Sequence, residues 1–269
     1  MHEIERQRII LSEIADRPVV TVGQLVELTG ASEATIRRDI NALHQDGKLH
    51  KVRGGAEALH PPQLVGIGGR HFAVSEQMNV AQKRAIAKAA VDLCEDGDSI
   101  IINGGTTTFQ MVDHLASRRM QILTNSFAIA ETLVHTSKNT IILPGGAVYR
   151  EQSLILSPFE NDVTRNFYAR RMFMSAQGVS PIGIMEGDPL LIQAEQKLIN
   201  QADELILLLD SSKFERRSSL ILCALDRVGM IITDNGIKNS DAKLIGEAGV
   251  RLLVVEPDPN DVSEAMGTP

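Results

Sequence analysis

Val22-Gly-Gln-Leu-Val-Glu-Leu-Thr-Gly-Ala-Ser-Glu-Ala-Thr-Ile-Arg-Arg-Asp-Ile-Asn-Ala-Leu43 reads as two short amphipathic helices joined at Gly30. In the second, Ser32 is a suitable N-cap, Glu33 places a negative charge in the first turn, and Ile36, Ile40 and Leu43 recur at spacings of four and three. That apolar stripe can pack on Leu25 and Val26, which leaves Ala34, Thr35, Arg37, Arg38 and Asn41 on the other faces. The pattern is a helix-turn-helix, with small residues where a helix approaches a groove and arginines able to take guanine or phosphate in a fork. Taken alone, two arginines on a helix describe a solvated surface; their flanks decide otherwise.

Upstream, Ile9, Ile10, Leu11 and Ile14 predict a first helix over Glu5 to Ile14, and Val19, Val20 and Thr21 lead into the second. Downstream, Asp46-Gly47 and Gly54-Gly55 punctuate alternating runs as in a hairpin, giving a wing that carries Lys48, Lys51 and Arg53. The chain has 269 residues and a net charge of −7, but the charges are uneven. Between Ala34 and Ala56 five cations face only Asp39 and Asp46. Charges beyond about 8 Å are screened at physiological salt, so this local excess governs phosphate contact. The DNA-facing candidates are Thr21, Ser32, Ala34, Thr35, Arg37, Arg38, Asn41, Lys51 and Arg53.

These segments, Thr21-Val-Gly-Gln-Leu-Val, Ala31 to Leu43 and Val52-Arg-Gly-Gly-Ala56, resemble the N-terminal signature of DeoR-type bacterial transcriptional repressors. The resemblance implies that Thr35, Arg37, Arg38, Lys51 and Arg53 touch double-stranded operator DNA.

From Ala56 to about Met78 the periodicity fails, and Pro61-Pro62, Gly66, Gly68 and Gly69 mark a connector. The expected organisation is a DNA-binding domain over 1–57, a linker over 58–78, an α/β sensor domain over 79–256 and a disordered acidic tail over 257–269. A helix is expected over Glu76 to Leu93, ending before Asp96-Gly97. Beyond it, Ser99–Ile102, Gln121–Leu123, Thr140–Leu143, Met172–Met174, Leu205–Leu209, Met230–Ile232 and Arg251–Val255 read as strands. Thr107–Leu115, Phe127–Val134, Leu191–Gln201 and Asp241–Ala248 read as helices between them. Continuous aliphatic runs alternating with helices indicate a Rossmann-like α/β fold with a buried parallel sheet.

In such folds ligands collect beyond the C-terminal strand ends, where this chain is polar and glycine-rich. Ile102-Asn-Gly-Gly-Thr-Thr-Thr108 offers backbone N–H groups, hydroxyls and a helix start, a combination suited to phosphate, although a helix-capping turn has the same composition. Companion loops follow other strands at Asn125, Gly145-Gly146, Gln177 and Lys213, and Glu195 with Lys197 forms a further polar pair. The effector candidates are therefore Asn103, Gly104, Gly105, Thr106, Thr107, Thr108, Asn125, Gly145, Gly146, Gln177, Glu195, Lys197 and Lys213. Ordinary roles compete at Lys213 (solvation), Asn125 (a helix cap) and Glu195 (an exposed helix face).

Gly104-Gly-Thr-Thr-Thr, Thr124-Asn-Ser, Gly145-Gly146, Ala194-Glu-Gln-Lys and Asp210-Ser-Ser-Lys-Phe resemble the sensor domain of DeoR-type regulators. The resemblance implies a ribose-phosphate-isomerase-like domain that binds a phosphorylated sugar, with Thr106, Thr107, Thr108 and Lys213 on the phosphate. Phe173-Met-Ser-Ala-Gln-Gly departs from the commoner family pattern and looks like the subgroup controlling L-ascorbate utilisation.

A sugar-phosphate isomerase is the competing class, but no carboxylate follows the strand that ends at Ser175-Ala-Gln-Gly178, which points to binding without turnover unless Asp210 or Glu195 substitutes. A dinucleotide enzyme would need Gly-x-Gly-x-x-Gly, which Gly104-Gly-Thr-Thr-Thr lacks. No catalytic residue, metal or cofactor is expected. The two cysteines, Cys94 and Cys223, lack disulfide or zinc spacing and are expected to be reduced. With neither a secretion signal nor a long apolar run, the expectation is a cytoplasmic homodimer or homotetramer, with no membrane partner.

Overall fold

The computed structural model describes residues 2–16, 19–58, 72–150, 152–159, 161–216 and 218–258. By its contacts the chain divides into two compact units, Met1–Leu64 and Val65–Pro269. The glycines and prolines expected to mark the connector at 61–69, and the tail from 259 onward, lie outside the described residues.

In the first unit, α1 (Glu3–Asp16), β1 (Val19–Thr21), α2 (Val22–Thr29) and α3 (Glu33–Gln45) precede a hairpin of β2 (Leu49–Val52) and β3 (Gly55–Ala58). Thr21 caps α2 in a capping box: its hydroxyl accepts from Gln24 N, and Gln24 Oε1 accepts from Thr21 N. Gly30 ends α2 in the left-handed region, and Ser32 starts α3 by accepting from Thr35 N at 3.3 Å. The expected stripe of Ile36, Ile40 and Leu43 is buried together with Ile10, Ile14, Leu25 and Leu49.

The sequence reading did not pair β1 with the wing. The strand order is β1-β3-β2, antiparallel throughout, so Val19–Thr21 extends the hairpin into a three-stranded sheet. Gly55 permits this, because a Cβ there would stand 2.1 Å from Val20 O. Asp39 also departs from expectation. It sits on α3 at 2% exposure and accepts a forked pair of hydrogen bonds from Arg6, at 2.7 and 3.2 Å.

The second unit begins with α4 (Phe72–Glu76) and α5 (Val80–Val91). The helix expected over Glu76 to Leu93 is therefore interrupted, and α4 lies within the stretch expected to be linker. Asn79 is the reason: its φ of 51° and ψ of 41° fall in the left-handed region, which asparagine tolerates and which no right-handed helix crosses.

There follow β4 (Ser99–Ile102), α6 (Thr106–Phe109), α7 (Met111–Leu115), β5 (Gln121–Thr124), α8 (Phe127–Thr136), β6 (Thr140–Ile142), β7 (Ala147–Tyr149), β8 (Leu154–Leu156), β9 (Ala169–Met174), β10 (Gly178–Ser180) and β11 (Gly183–Glu186). The unit closes with α9 (Pro189–Ile199), β12 (Ala202–Leu208), β13 (Leu220–Cys223), β14 (Met230–Asp234), α10 (Asn239–Glu247) and β15 (Arg251–Val255). All seven expected strands join one sheet of order β15-β14-β12-β9-β4-β5-β6, with every pairing parallel. The expected helix over Thr107–Leu115 is split into α6 and α7.

Strand residues alternate between two cores. Ile100, Ile102, Phe173, Ile206, Leu208 and Ile232 pack with α5, α7 and α8, whereas Ile101, Met172, Met174, Leu205, Leu207 and Ile231 pack with α9 and α10. The sheet is doubly wound, each buried aliphatic side chain contributing about 1.5–3 kcal/mol. Strand order reverses between β4 and β9, the position in such folds beyond which ligands are held, here past Ile102 and Met174.

Removing one partner of the Arg6–Asp39 pair leaves a buried charge. Asp39→Ala is expected to destabilise the first unit by about 3–5 kcal/mol, read as a lower urea midpoint by circular dichroism.

Candidate functional site

On the first unit, α3 presents Ala34, Arg37, Arg38 and Asn41 to solvent, with Thr35 half-buried and its hydroxyl 2.9 Å from that of Ser32. Lys51 is exposed on β2, and Arg53 stands at the two-residue turn between β2 and β3. The two anions counted against this surface are accounted for: Asp39 faces inward to Arg6, and Asp46 lies 3.2 Å from Lys48. Arg37 reaches Glu33 at 3.4 Å, an exposed i,i+4 pair that solvent screens. Arg38, Lys51 and Arg53 are exposed with no carboxylate partner among the described residues.

In the second unit, Asn103 occupies the strand reversal, fully buried. Its Oδ1 accepts from Ser175 N at 2.9 Å, and its Nδ2 donates to Ser175 O at 3.1 Å and to Glu195 Oε1 at 2.7 Å. Its carboxamide is thus committed to joining β4, β9 and α9, a bracing role in place of the effector contact expected from sequence. Gly104 N donates to Asn125 Oδ1 at 2.9 Å, while the buried Asn125 Nδ2 has no partner. A Cβ on Gly104 would stand 1.8 Å from Leu154 Cδ2, so the loop lies flat under the β7–β8 hairpin.

The threonines divide. Thr106 is half-buried at the start of α6; Thr107 and Thr108 are fully buried, and the Thr108 hydroxyl donates to Asn103 O and Gly105 O at 2.9 Å. Two of the three therefore point into the protein. Lys197 also departs from its expected role, since its ammonium holds the 157–162 loop through Ser157 O (3.3 Å), Phe159 O (2.6 Å) and Asp162 (3.6 Å). Gly145 and Gly146 are exposed at the entry to the β7–β8 hairpin.

A buried carboxylate pair was not anticipated. Glu186, at the end of β11, and Glu195, on α9, are 4% and 3% exposed and repel each other. Burial raises Glu186 to about 7, against hydrogen bonds from Gly187 N at 2.8 Å and the Gln177 side chain and the charge of Lys213. Burial and the charge of Glu186 push Glu195 well above the ordinary carboxylate range, and its Oε2 lacks a partner. Glu195 is buried and paired, not on an exposed helix face. No carboxylate directly follows β9 in the sequence, but the fold brings Glu186 to Gln177 from β11 and Glu195 to Asn103 from α9. The one sequence signal of Glu186 was an acid after Ile184-Met185, between Gly183 and Gly187 and two residues before Asp188.

Lys213 completes the crevice. Burial and the neighbouring Arg216 lower its ammonium to about 8, against the attraction of Asp210 and Glu186. Asp210, 2% exposed, accepts from Ser212 N (3.2 Å) and Asn79 Nδ2 (2.9 Å). Burial raises its pKa, but Ser212, Lys213 and Lys83 outweigh burial and hold it below the usual range. Contacts and charges thus run continuously from Asn125 through Gly104, Asn103, Glu195, Glu186 and Lys213 to Asp210.

Residues 6–61 match the DeoR-like helix-turn-helix domain, and residues 78–235 match the DeoR C terminal sensor domain. The chain belongs to the DeoR family. The HTH-type transcriptional regulator UlaR of Shigella dysenteriae serotype 1 (strain Sd197) is 34% identical over 258 residues, 95% of this chain and 100% of its own. UlaR of Escherichia coli (strain K12 / DH10B) matches with the same identity and coverage. This DeoR-family chain is accordingly a transcriptional regulator and not an enzyme. Ribose 5-phosphate isomerase A from Methanocaldococcus jannaschii overlays with a TM-score of 0.37 at 17% identity, covering 49% of this chain and 53% of that one. The Neisseria gonorrhoeae enzyme overlays with a TM-score of 0.35 at 18% identity, over 51% and 54%. The doubly wound assignment rests on strand order and not on these overlays. Among the described residues no helix is long and apolar enough to cross a membrane.

The raised carboxyls set a pH dependence. Glu186 binds its proton more tightly folded than unfolded, so folding takes up protons between its ordinary value of 4.5 and about 7. Stability should fall as pH rises through that window. Glu186→Gln is expected to reduce that loss by on the order of 2 kcal/mol, seen as a flatter urea midpoint between about pH 5 and pH 7.

Proposed function

We propose that this regulator represses a carbohydrate or sugar-acid catabolic operon and that a phosphorylated sugar or sugar acid, bound in the second unit, controls its operator affinity. Residues 1–57 bind the DNA, residues 79–256 sense the metabolite, and residues 58–78 connect them. What supports the reading is the chain of hydrogen bonds and charge interactions at the β4–β9 reversal, which links donors suited to phosphate with acceptors suited to hydroxyls. Gly105, Thr106 and Lys213 offer an amide, a hydroxyl and a cation, while Gly104, whose N–H is held by Asn125, shapes the turn. Glu186, Glu195 and Gln177 offer the hydroxyl-reading end. Two buried carboxylates repel an ionised ligand carboxylate, so a sugar acid would seat that group away from them. Identity to UlaR supports the sugar-acid assignment, together with the resemblance to the ascorbate subgroup at Phe173 to Gly178.

On the first unit, Arg37, Arg38, Lys51 and Arg53 contact phosphates or base edges, and Thr21, Ser32, Ala34, Thr35 and Asn41 line the approach of α3 to the groove. The protein acts in the cytoplasm as a homodimer or homotetramer, because paired recognition helices match two half-sites. Ligand binding favours the arrangement that releases DNA, which lowers operator affinity by a factor of about 5–150.

Two measurements test the reading. A phosphorylated ligand at a hundredfold its Kd is expected to stabilise the full chain by about 2.7 kcal/mol, whereas unphosphorylated sugars leave its melting temperature unchanged. Screening ribose 5-phosphate, 6-phosphogluconate and related sugar phosphates by thermal shift decides this; no stabilisation by any of them counts against it. Arg37→Ala and Arg38→Ala should each cost about 1–3 kcal/mol of specific DNA binding and leave ligand stabilisation intact. Thr106→Ala and Lys213→Ala should do the reverse. Loss of both functions in all four variants would refute the division between the units.

A further inference from the structure

The segment leading into the second unit is fastened to both of its ligand-facing loops. Phe72, the first residue of α4, meets Phe109 edge to face, with ring centroids 5.4 Å apart at 87°. Phe109 ends α6, the four-residue helix that begins directly after Gly104-Gly105. A helix of that length spans about 6 Å and moves as one piece, so a shift at Gly105 is carried to the Phe109 ring. At the other end of the segment, Asn79 Nδ2 donates to Asp210 Oδ1 at 2.9 Å, three residues before Lys213.

Between these two contacts, the buried Lys83 donates to Ser75 O and faces Asp210 and Glu76. Asn79 itself stands in the left-handed region between α4 and α5, an element-terminal position of the kind that absorbs hinge motion. Most of this segment, residues 72–77, lies between the two family matches, which end at 61 and resume at 78.

We propose that Phe72 and Asn79 are positioning residues whose contacts with the Gly104–Phe109 and Asp210–Lys213 loops set the DNA affinity of the chain. The proposal rests on the reading of those loops as the effector site. It adds the route by which they act: one contact responds to the phosphate-binding turn, the other to the loop bearing the lysine. Both converge on residues 72–79, which in sequence follow the DNA-binding unit. Asp210 couples the routes electrostatically, because an anion on Lys213 competes for the charge that Lys213 now shares with Asp210.

The test needs no ligand. A duplex selected from a random pool by the full-length wild type serves as the DNA probe, and affinities are read by fluorescence anisotropy. Asn79→Gly keeps the left-handed backbone and removes only the amide; Asn79→Asp keeps the backbone and sets a like charge against Asp210; Phe109→Leu keeps apolar volume and removes the ring contact. Each is expected to speed amide exchange across 72–79, to leave the melting temperature of the sheet unchanged, and to shift DNA affinity by about fivefold or more, with Asn79→Asp exceeding Asn79→Gly. Faster exchange with wild-type DNA affinity would overturn the proposal, as would unchanged exchange in all three variants. Failure of the sugar-phosphate reading would register separately, in the thermal-shift screen, since no metabolite enters this experiment.

Discussion

A single buried carboxamide holds the sensor crevice in shape. Asn103 lies where strand order reverses, and there the ends of β4 and β9 diverge with unpaired backbone groups that water cannot reach. Its Oδ1 and Nδ2 meet Ser175 N and Ser175 O, as a further strand residue would, and the second amide hydrogen reaches Glu195. A buried polar group left unpaired costs about 1–3 kcal/mol, so this arrangement has few alternatives. Gly104 and Gly105 follow directly, and the flat turn they form under Leu154 and beside Ser175 depends on where Asn103 is pinned.

The same brace explains why a carboxylate pair persists in the interior. Glu195 accepts from Asn103, and Glu186 accepts from Gly187 N and Gln177, so each has a fixed donor although both are almost fully buried. Burial and the like charge of its neighbour hold Glu195 well above the ordinary carboxylate range, and burial does the same for Glu186. The first unit uses the opposite arrangement: its interior anion, Asp39, is matched by Arg6, and its cations stay in solvent where a polyanion can reach them. The two units therefore differ in local charge, independently of the net charge of −7.

Much of this was legible in the residues. Apolar spacing at period 3.6 locates α2 and α3, alternation the wing, and continuous aliphatic runs all seven sheet strands, because burial on one face or on both leaves its mark in the sequence. Caps at Thr21 and Ser32 are local chemistry, readable from neighbouring residues. Less legible were the pairing of β1 with β3, the interruption at Asn79 and the small sheet of β10, β11 and β13, each of which is decided by contacts distant in the chain. Lys197 and Asn103 looked like ligand contacts because both are polar residues beside functional motifs. The fold gives their hydrogen bonds to backbone at 157–159 and 175, information that no local window contains.

By itself, the order of residue types determined that a small cationic helical unit precedes a doubly wound α/β unit. Periodicity and capping are properties of neighbours a few positions apart, so they survive in the bare chain. Tertiary structure alone decided which polar groups remain available. Thr107 and Thr108 turn inward, Asn103 becomes a brace, and Glu186 arrives beside Glu195 from a separate strand. The reason is desolvation: whether a side chain is a ligand contact or an internal partner depends on how much water folding removes around it, and that follows only from elements meeting across the sheet.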